Sequence, residues 1–229
     1  MTFRISEHCS YQGHFIYDQV FQRTEMGRAI EALAAASVER TRAGARHVLN
    51  VPAVRALAMD SRLVEIARQF VGPTPVAFRA TLFDKSPAAN WLVVWHQDTA
   101  LPLRRRFDGA GWGPWSTKAG VLYAHAPAWA LEQVVALRVS LDDSTSTNGP
   151  LRVLPNTHGA GVLTDEQIAH WARAATPVDC VTASGGVVAM RPLTIHASSK
   201  SQDAESRRVL HIEYAAAVNL GASAELAVG

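Results

Sequence analysis

From Val76 onward the chain breaks into short apolar stretches: VAFRATLFD, NWLVVWHQD, GVLYAH, EQVVALRVSLDD, PLRVLP, VDCVTA, GGVVAMRP and RRVLHIEYAAAV. Runs this brief, rich in Val, Leu, Trp and Tyr, have the length and composition of strands rather than helices. Ser86-Pro87, Asn148-Gly149-Pro150 and Gly185-Gly186 supply turns between them, so the body reads as a β sandwich or barrel. One such body fills a chain of 229 residues. The expectation is a single domain over 1–229, with a helical part over about 15–72 and a β core over about 76–218.

The helical part is predicted from two stretches. Asp18 to about Arg42 is rich in Ala, Glu, Arg and Gln, with Val20, Ile30, Leu33 and Val38 on one face. Val54 to Phe70 follows, with Asp60 and Ser61 as an internal break and cap and Gly72-Pro73 as the stop. A third helix is expected from Thr164 to about Ala174, because Thr164 and Gln167 have capping-box spacing. The N-terminal helices are expected to pack outside the β body, making the fold mainly β with flanking α.

Charge excludes several partners. With 22 Lys+Arg against 20 Asp+Glu, the formal charge of +2 gives no reason to expect nucleic acid or an anionic membrane as a partner. No run approaches the roughly 18 apolar residues of a membrane helix, and the first fifteen residues lack a signal-peptide pattern. A cytoplasmic location is therefore expected, with Cys9 and Cys180 as reduced thiols.

The chemistry is carried by Trp95-His96-Gln97-Asp98 at the end of an apolar run. A strand's side-chain period of two sends His96 and Asp98 to one face and Gln97 to the other. A second histidine from elsewhere would complete a two-histidine, one-carboxylate triad with open positions on iron(II). By itself HxD equally describes a surface histidine oriented by an aspartate.

The context of that motif is more specific. Asn148 to His158 reads NGPLRVLPNTH, Gly185 to His196 reads GGVVAMRPLTIH, and Arg207 to Tyr214 reads RRVLHIEY. In order and spacing, these segments resemble the phytanoyl-CoA dioxygenase family from about Phe78 to Tyr214. The resemblance implies a double-stranded β-helix, a jelly-roll or cupin-like core, with an N-terminal helical layer. It implies His96, Asp98 and His196 as metal ligands and catalytic centre, and Arg207, eleven residues past His196, as the 2-oxoglutarate arginine. Ser198, on the face of His196, would donate a hydroxyl to the same carboxylate. Arg138 stands where some members contact the co-substrate; pairing with Asp142 or Asp143 is its alternative.

Iron(II), 2-oxoglutarate and dioxygen would then oxidise an organic small molecule, most simply by hydroxylation, releasing succinate and carbon dioxide. Two other readings use the same residues: a non-catalytic metal-binding module that senses a ligand, and a zinc hydrolase, which would not need Arg207. Arginine suits the distal carboxylate because its planar fork stays charged and matches a carboxylate bidentately. Period two separates Arg207, with Val209 and His211, from Arg208, with Leu210, Ile212 and Tyr214.

The remaining expectations are plainer. His8, His14, His47 and His170 are assigned surface or packing roles, and His125 and His158 pocket lining or turn hydrogen bonds. His211 is expected to orient its neighbours. Asn156, in a turn where the family usually has glycine, is expected to adopt a left-handed backbone. Trp91 and Trp95 are assigned to the core. Thr99 to Gly120, with Arg104, Arg105, Arg106, Trp112, Trp115 and Lys118, is expected to be a long loop covering the pocket, whose arginines could receive an acidic or phosphorylated substrate.

Overall fold

The computed structural model describes residues 12–229, so the expectations for His8 and Cys9 lie outside the described residues. In chain order the early strands are β1 (His14–Tyr17), β2 (Arg40–Thr41), β3 (Gly44–Ala45), β4 (Val76–Lys85) and β5 (Val93–His96). Next come β6 (Ala100–Leu103), β7 (Trp115–Lys118), β8 (Val121–His125), β9 (Val134–Ser140) and β10 (Leu151–Val153). The last of the body are β11 (Val178–Cys180), β12 (Val187–Met190), β13 (His196–Ser198) and β14 (Arg207–Ala215). The helices are α1 (Arg23–Ala35), α2 (Pro52–Ala58), α3 (Ser61–Val71), α4 (Ala128–Leu131) and α5 (Asp165–Ala174).

The major sheet has the order β1-β12-β9-β14-β4-β3-β2, and the minor sheet β11-β10-β13-β5. Successive strands alternate between them: β4 lies in the major sheet, β5 in the minor, β9 in the major, β10 and β11 in the minor. β12, β13 and β14 continue that alternation. This is the double Greek key of a jelly roll, the double-stranded β-helix of cupin-like proteins.

Alternation on β14 divides the major sheet's two faces. Leu210, Ile212 and Tyr214 join Leu82, Leu137 and Val139 against Met26, Leu33, Leu63 and Ile66 of the helical layer. Burying each such Leu or Ile contributes roughly 1.5–3 kcal/mol relative to exposure. The Tyr214 hydroxyl donates to the Ala58 carbonyl at 2.8 Å, tying the sheet to the end of α2. Arg207, Val209, His211 and Glu213 take the other face, which looks toward the minor sheet.

The helices differ from expectation in one place. Asp60 caps α3 by accepting from the Arg62 amide at 2.9 Å, Gly72 stops α3, and Thr164 and Gln167 form the capping box of α5. The first helix, however, spans only Arg23–Ala35 rather than Asp18 to Arg42. Past Ala36 the chain extends, and Arg40 both donates to the Leu33 carbonyl and enters the β2–β3 hairpin. Helix propensity favours continuation here, but strand pairing with β4 overrides it. Gly44 makes that pairing possible: its φ is +128°, and a Cβ would overlap the Leu82 carbonyl oxygen.

Thr99 to Gly120 is also corrected. It is not one long loop: β6 and β7 flank β8 in a three-stranded sheet, and Leu101 and Leu103 are buried in a second core. That core extends past residue 218 to Leu220, Ala224 and Leu226, through a C-terminal hairpin of Asn219–Gly221 and Ala224–Glu225. Arg104 pairs with Glu225, and Arg106 stacks over Trp115, so these charges are engaged locally. Proline at 102 and four glycines between 109 and 120 obscure strands that only the Leu101/Leu103 alternation betrays.

Candidate active site

The two histidines meet because β5 and β13 are antiparallel neighbours with His96 directly opposite His196. Their ring centroids are 4.2 Å apart. His96 Nδ1 lies 2.8 Å from the Val94 carbonyl and His196 Nδ1 2.9 Å from the Thr194 carbonyl. A carbonyl only accepts, so each Nδ1 carries a proton and each Nε2 is the ring atom available to a metal. Both Nε2 atoms face Asp98, at 3.6 Å for His96 and 3.4 Å for His196.

Asp98 is held from behind. Its amide donates to the Pro192 carbonyl at 2.9 Å. Gln97, on the opposite face as parity requires, is buried. It donates to the Gly161 and Leu193 carbonyls and accepts from the Leu163 amide. Burial works to raise the Asp98 carboxyl, yet the two imidazoles outweigh it and hold its pKa well below the ordinary carboxylate value. For His96, burial pulls downward, but the Asp98 carboxylate and the Val94 carbonyl raise it on balance. Donor atoms of the three side chains lie within 4.8 Å of one another, a spacing that fits one divalent cation with nitrogen and oxygen ligands.

The triad opens on a cavity of about 240 Å³ floored by the major sheet. Arg207, Arg138 and Ser198 all line it. Arg208 points away and makes a bidentate pair with Asp142, 2.7 and 2.8 Å. Arg138 therefore does not pair with Asp142, and Asp143 is taken by Arg23. Arg138 Nη1 lies 3.1 Å from His211 Nδ1. Burial, then Arg138, pushes His211 down to about 3, so its ring is neutral and accepts from the guanidinium.

Sequence reasoning missed Lys85. It is buried at the end of β4, opposite Arg207, with Nζ 2.6 Å from Ser198 Oγ and in contact with the Ser199 carbonyl. Ser198 passes its own proton to the Gly149 carbonyl at 2.8 Å, while Arg207 Nε donates to the Asn148 carbonyl at 3.2 Å. Ser198's hydroxyl proton is thus already committed within the protein. Burial, Arg207 and Arg138 together push Lys85 down to about 8, and burial with Arg138 pushes Arg207 down to about 10. None of Lys85, Arg138 and Arg207 forms a salt bridge among the described residues. The missed signal was Arg79, Thr81 and Lys85 alternating with Phe78, Ala80 and Leu82, a polar face on a strand otherwise read as core.

Other expectations resolve individually. Trp91 lines the cavity, 5.5 Å from Lys85 Nζ, whereas Trp95 packs against the Ile168 cluster of α5. Trp91 precedes β5, so strand parity does not turn it into the core. His125 Nδ1 lies 2.7 Å from Thr99 Oγ1, His14 and His47 pack within the fold, and Asn156 has φ +66°. No residue of Thr99 to Gly120 lines the cavity; the β2–β3 hairpin forms its rim instead.

A jelly roll with a His-x-Asp pair beside a second histidine, facing buried cations, has the form of a non-haem metal oxygenase site. Residues 15–209 match the family model described as phytanoyl-CoA dioxygenase, and the chain belongs to that family. It is 28% identical to an L-proline trans-4-hydroxylase of Streptomyces griseoviridis over 49% of this chain, and spans about half (51%) of that protein's length. Its fold matches EctD from S. alaskensis with 2-oxoglutarate and 5-hydroxyectoine, with a TM-score of 0.71 and 19% identity over 93% of this chain and 77% of that one. It also matches HygX from Streptomyces hygroscopicus with nickel and 2-oxoglutarate bound, with a TM-score of 0.66 and 17% identity over 93% and 87%.

Proposed function

We propose that this protein is an iron(II)- and 2-oxoglutarate-dependent dioxygenase that oxidises, most simply by hydroxylation, an organic small molecule. The observation that carries the reading is the pairing of one donor triad with one cationic floor. The triad's donor set suits a divalent metal, and the Lys85, Arg138 and Arg207 end of the floor has no carboxylate paired with it among the described residues. Bound iron(II) supplies the activation of dioxygen, for which 2-oxoglutarate is the co-substrate. His96 and His196 would hold the ion through Nε2 and Asp98 through a carboxylate oxygen.

The remaining residues bind and orient. Arg207 would take the distal carboxylate of 2-oxoglutarate through its free fork nitrogens, with Lys85 and Arg138 supplying further positive charge. Ser198 would fix the Lys85 ammonium rather than contact the co-substrate first. His211, neutral and accepting from Arg138, would hold that guanidinium in place. The hydroxylase relative and the hydroxyectoine-bound fold neighbour support a small-molecule substrate. We read the chain as one domain, since the helical layer packs on one face of the major sheet and that sheet's other face floors the cavity. Cytoplasmic location remains the sequence-based reading; no helix among the described residues is long and apolar enough to cross a membrane.

The test is anaerobic visible titration. Iron(II) and 2-oxoglutarate should produce a coloured chelate at one equivalent in the wild type and none in Asp98→Ala. A colourless protein that instead hydrolyses esters or amides when loaded with zinc would favour the hydrolase reading. Binding of both ligands without oxygen consumption would favour the sensor reading.

A further inference from the structure

The cavity floor continues past the residues assigned to 2-oxoglutarate. On β14 and β4, Arg207 lies opposite Lys85, His211 opposite Thr81, and Glu213 opposite Arg79. Arg207 and Glu213 occupy one strand face six positions apart, about 20 Å at roughly 3.3 Å per residue. They mark opposite ends of the floor. If the Arg207 end takes the co-substrate, the Glu213 end is left for the molecule to be oxidised.

That end has its own charge pattern. Apart from Asp98, Glu213 is the one carboxylate lining the cavity among the described residues, and it is 2% exposed. Arg79 contacts it through Nε and, at 2.5 Å, through Nη2, and uses Nη1 on the Ala100 carbonyl at 3.3 Å. The guanidinium is therefore occupied. The carboxylate has about four acceptor sites, of which Arg79 fills two; His211 Nε2 stands 3.9 Å from Oε2, beyond hydrogen-bond distance, which leaves acceptor sites toward the cavity. Burial raises the Glu213 carboxyl above its ordinary value against the pull of Arg79, so a second positive group beside it would be favourable. At the rim, Ala45 pairs with Leu82, which brings Arg46 level with Thr81, two strands and two residues away from Glu213, about 12 Å between backbones. Arg46 lines the cavity and forms no salt bridge among the described residues.

We propose that Glu213 receives the protonated amine of the substrate and Arg46 its carboxylate, so that the site takes a small zwitterion. This rests on the dioxygenase reading above. A purely structural role explains the Arg79–Glu213 contact but not its open carboxylate edge on the cavity, since a buried ion pair is often replaceable by apolar packing without loss.

Three probes of similar ring size separate the charges: piperidine-2-carboxylate, piperidine and cyclohexanecarboxylate. Each is titrated anaerobically into the wild-type iron(II)–2-oxoglutarate complex while the visible band is followed. The zwitterion should perturb the band at a concentration at least roughly tenfold below either single-charge probe. Glu213→Gln should raise its half-saturating concentration on the order of 10- to 100-fold and leave cyclohexanecarboxylate unchanged. Arg46→Gln should weaken both carboxylates and spare piperidine. Circular dichroism and metal affinity check that each variant is folded; if Glu213→Gln is not, the wild-type ranking decides. A carboxylate without amine binding as well as the zwitterion, or no probe perturbing the band, would overturn the inference. Failure of the band to form at all, seen before any probe is added, would remove the dioxygenase reading and this inference with it.

Discussion

At one end of the cavity floor the partly buried Arg79 has two fork nitrogens on the buried Glu213 carboxylate, whereas at the other Lys85, Arg138 and Arg207 are buried together with no carboxylate pairing them among the described residues. Both ends desolvate charge. Only the first supplies its own compensation: the Glu213 carboxylate raises the Arg79 pKa despite the opposing effect of burial. At the second, burial lowers all three cations, and repulsion from neighbouring arginines adds to it for Lys85 and Arg207. A compensated pair belongs to the stability of the empty protein. An uncompensated cluster destabilises it until an anion arrives, which is how binding energy is stored in a preorganised site.

Removing one member of the compensated pair is therefore expected to have the largest effect. Glu213→Ala leaves the partly buried Arg79 without its carboxylate and should cost about 3–5 kcal/mol of folding stability. Urea denaturation measures it, and a loss below about 1 kcal/mol would erase the distinction between the two ends. Arg207→Ala should behave in the opposite manner. The apoprotein keeps or gains stability, because a repelling buried cation is gone. Meanwhile 2-oxoglutarate binding weakens by roughly 2–4 kcal/mol, on the order of 30- to 1000-fold. Calorimetric titration against a metal-loaded sample reads this directly.

Lys85 sharpens the comparison through pH. Its ordinary pKa is 10.5 and its folded value is pushed down to about 8. Between those values the unfolded chain holds a proton that the folded chain has released, so apoprotein stability should rise with pH from about 8 toward 10.5. Binding of a dianion needs the charged form, so 2-oxoglutarate affinity should fall as pH rises through about 8. Lys85→Met should flatten both trends. Persistence of the stability slope in that variant would assign it to another group. The smallest effect is expected of Arg208→Ala. It removes a pair with Asp142 at the protein surface, both side chains less than a third exposed, worth about 1 kcal/mol, and should change 2-oxoglutarate affinity less than about tenfold.

The same contrast marks what the sequence makes legible. His96 and Asp98 share a face because they are two apart on one strand, and Arg207 parts from Arg208 for the same reason; both follow from local alternation. Meeting His196, however, depends on β5 lying beside β13, a non-local pairing that only the family resemblance implies. Lys85 and the Arg79–Glu213 pair depend on the β4–β14 register, which no local pattern encodes. Although Arg79, Thr81 and Lys85 alternate with apolar residues, their polar face shows its purpose only once β14 is opposite. The Thr99–Gly120 segment fails for a different reason: four glycines and two prolines interrupt it, yet pairing across β8 still orders its ends. Trp91 and the shortened α1 show tertiary contacts overriding propensity.

The most direct test is a crystal of the protein grown with nickel and 2-oxoglutarate, with the metal located by anomalous scattering. The account predicts one peak bonded to His96 Nε2, His196 Nε2 and Asp98 at about 2.0–2.2 Å. It also predicts the distal carboxylate of 2-oxoglutarate on the Arg207 fork, with the Arg79–Glu213 contact intact. Metal outside that triad, or a carboxylate seated on Arg79 with Glu213 displaced, would contradict it.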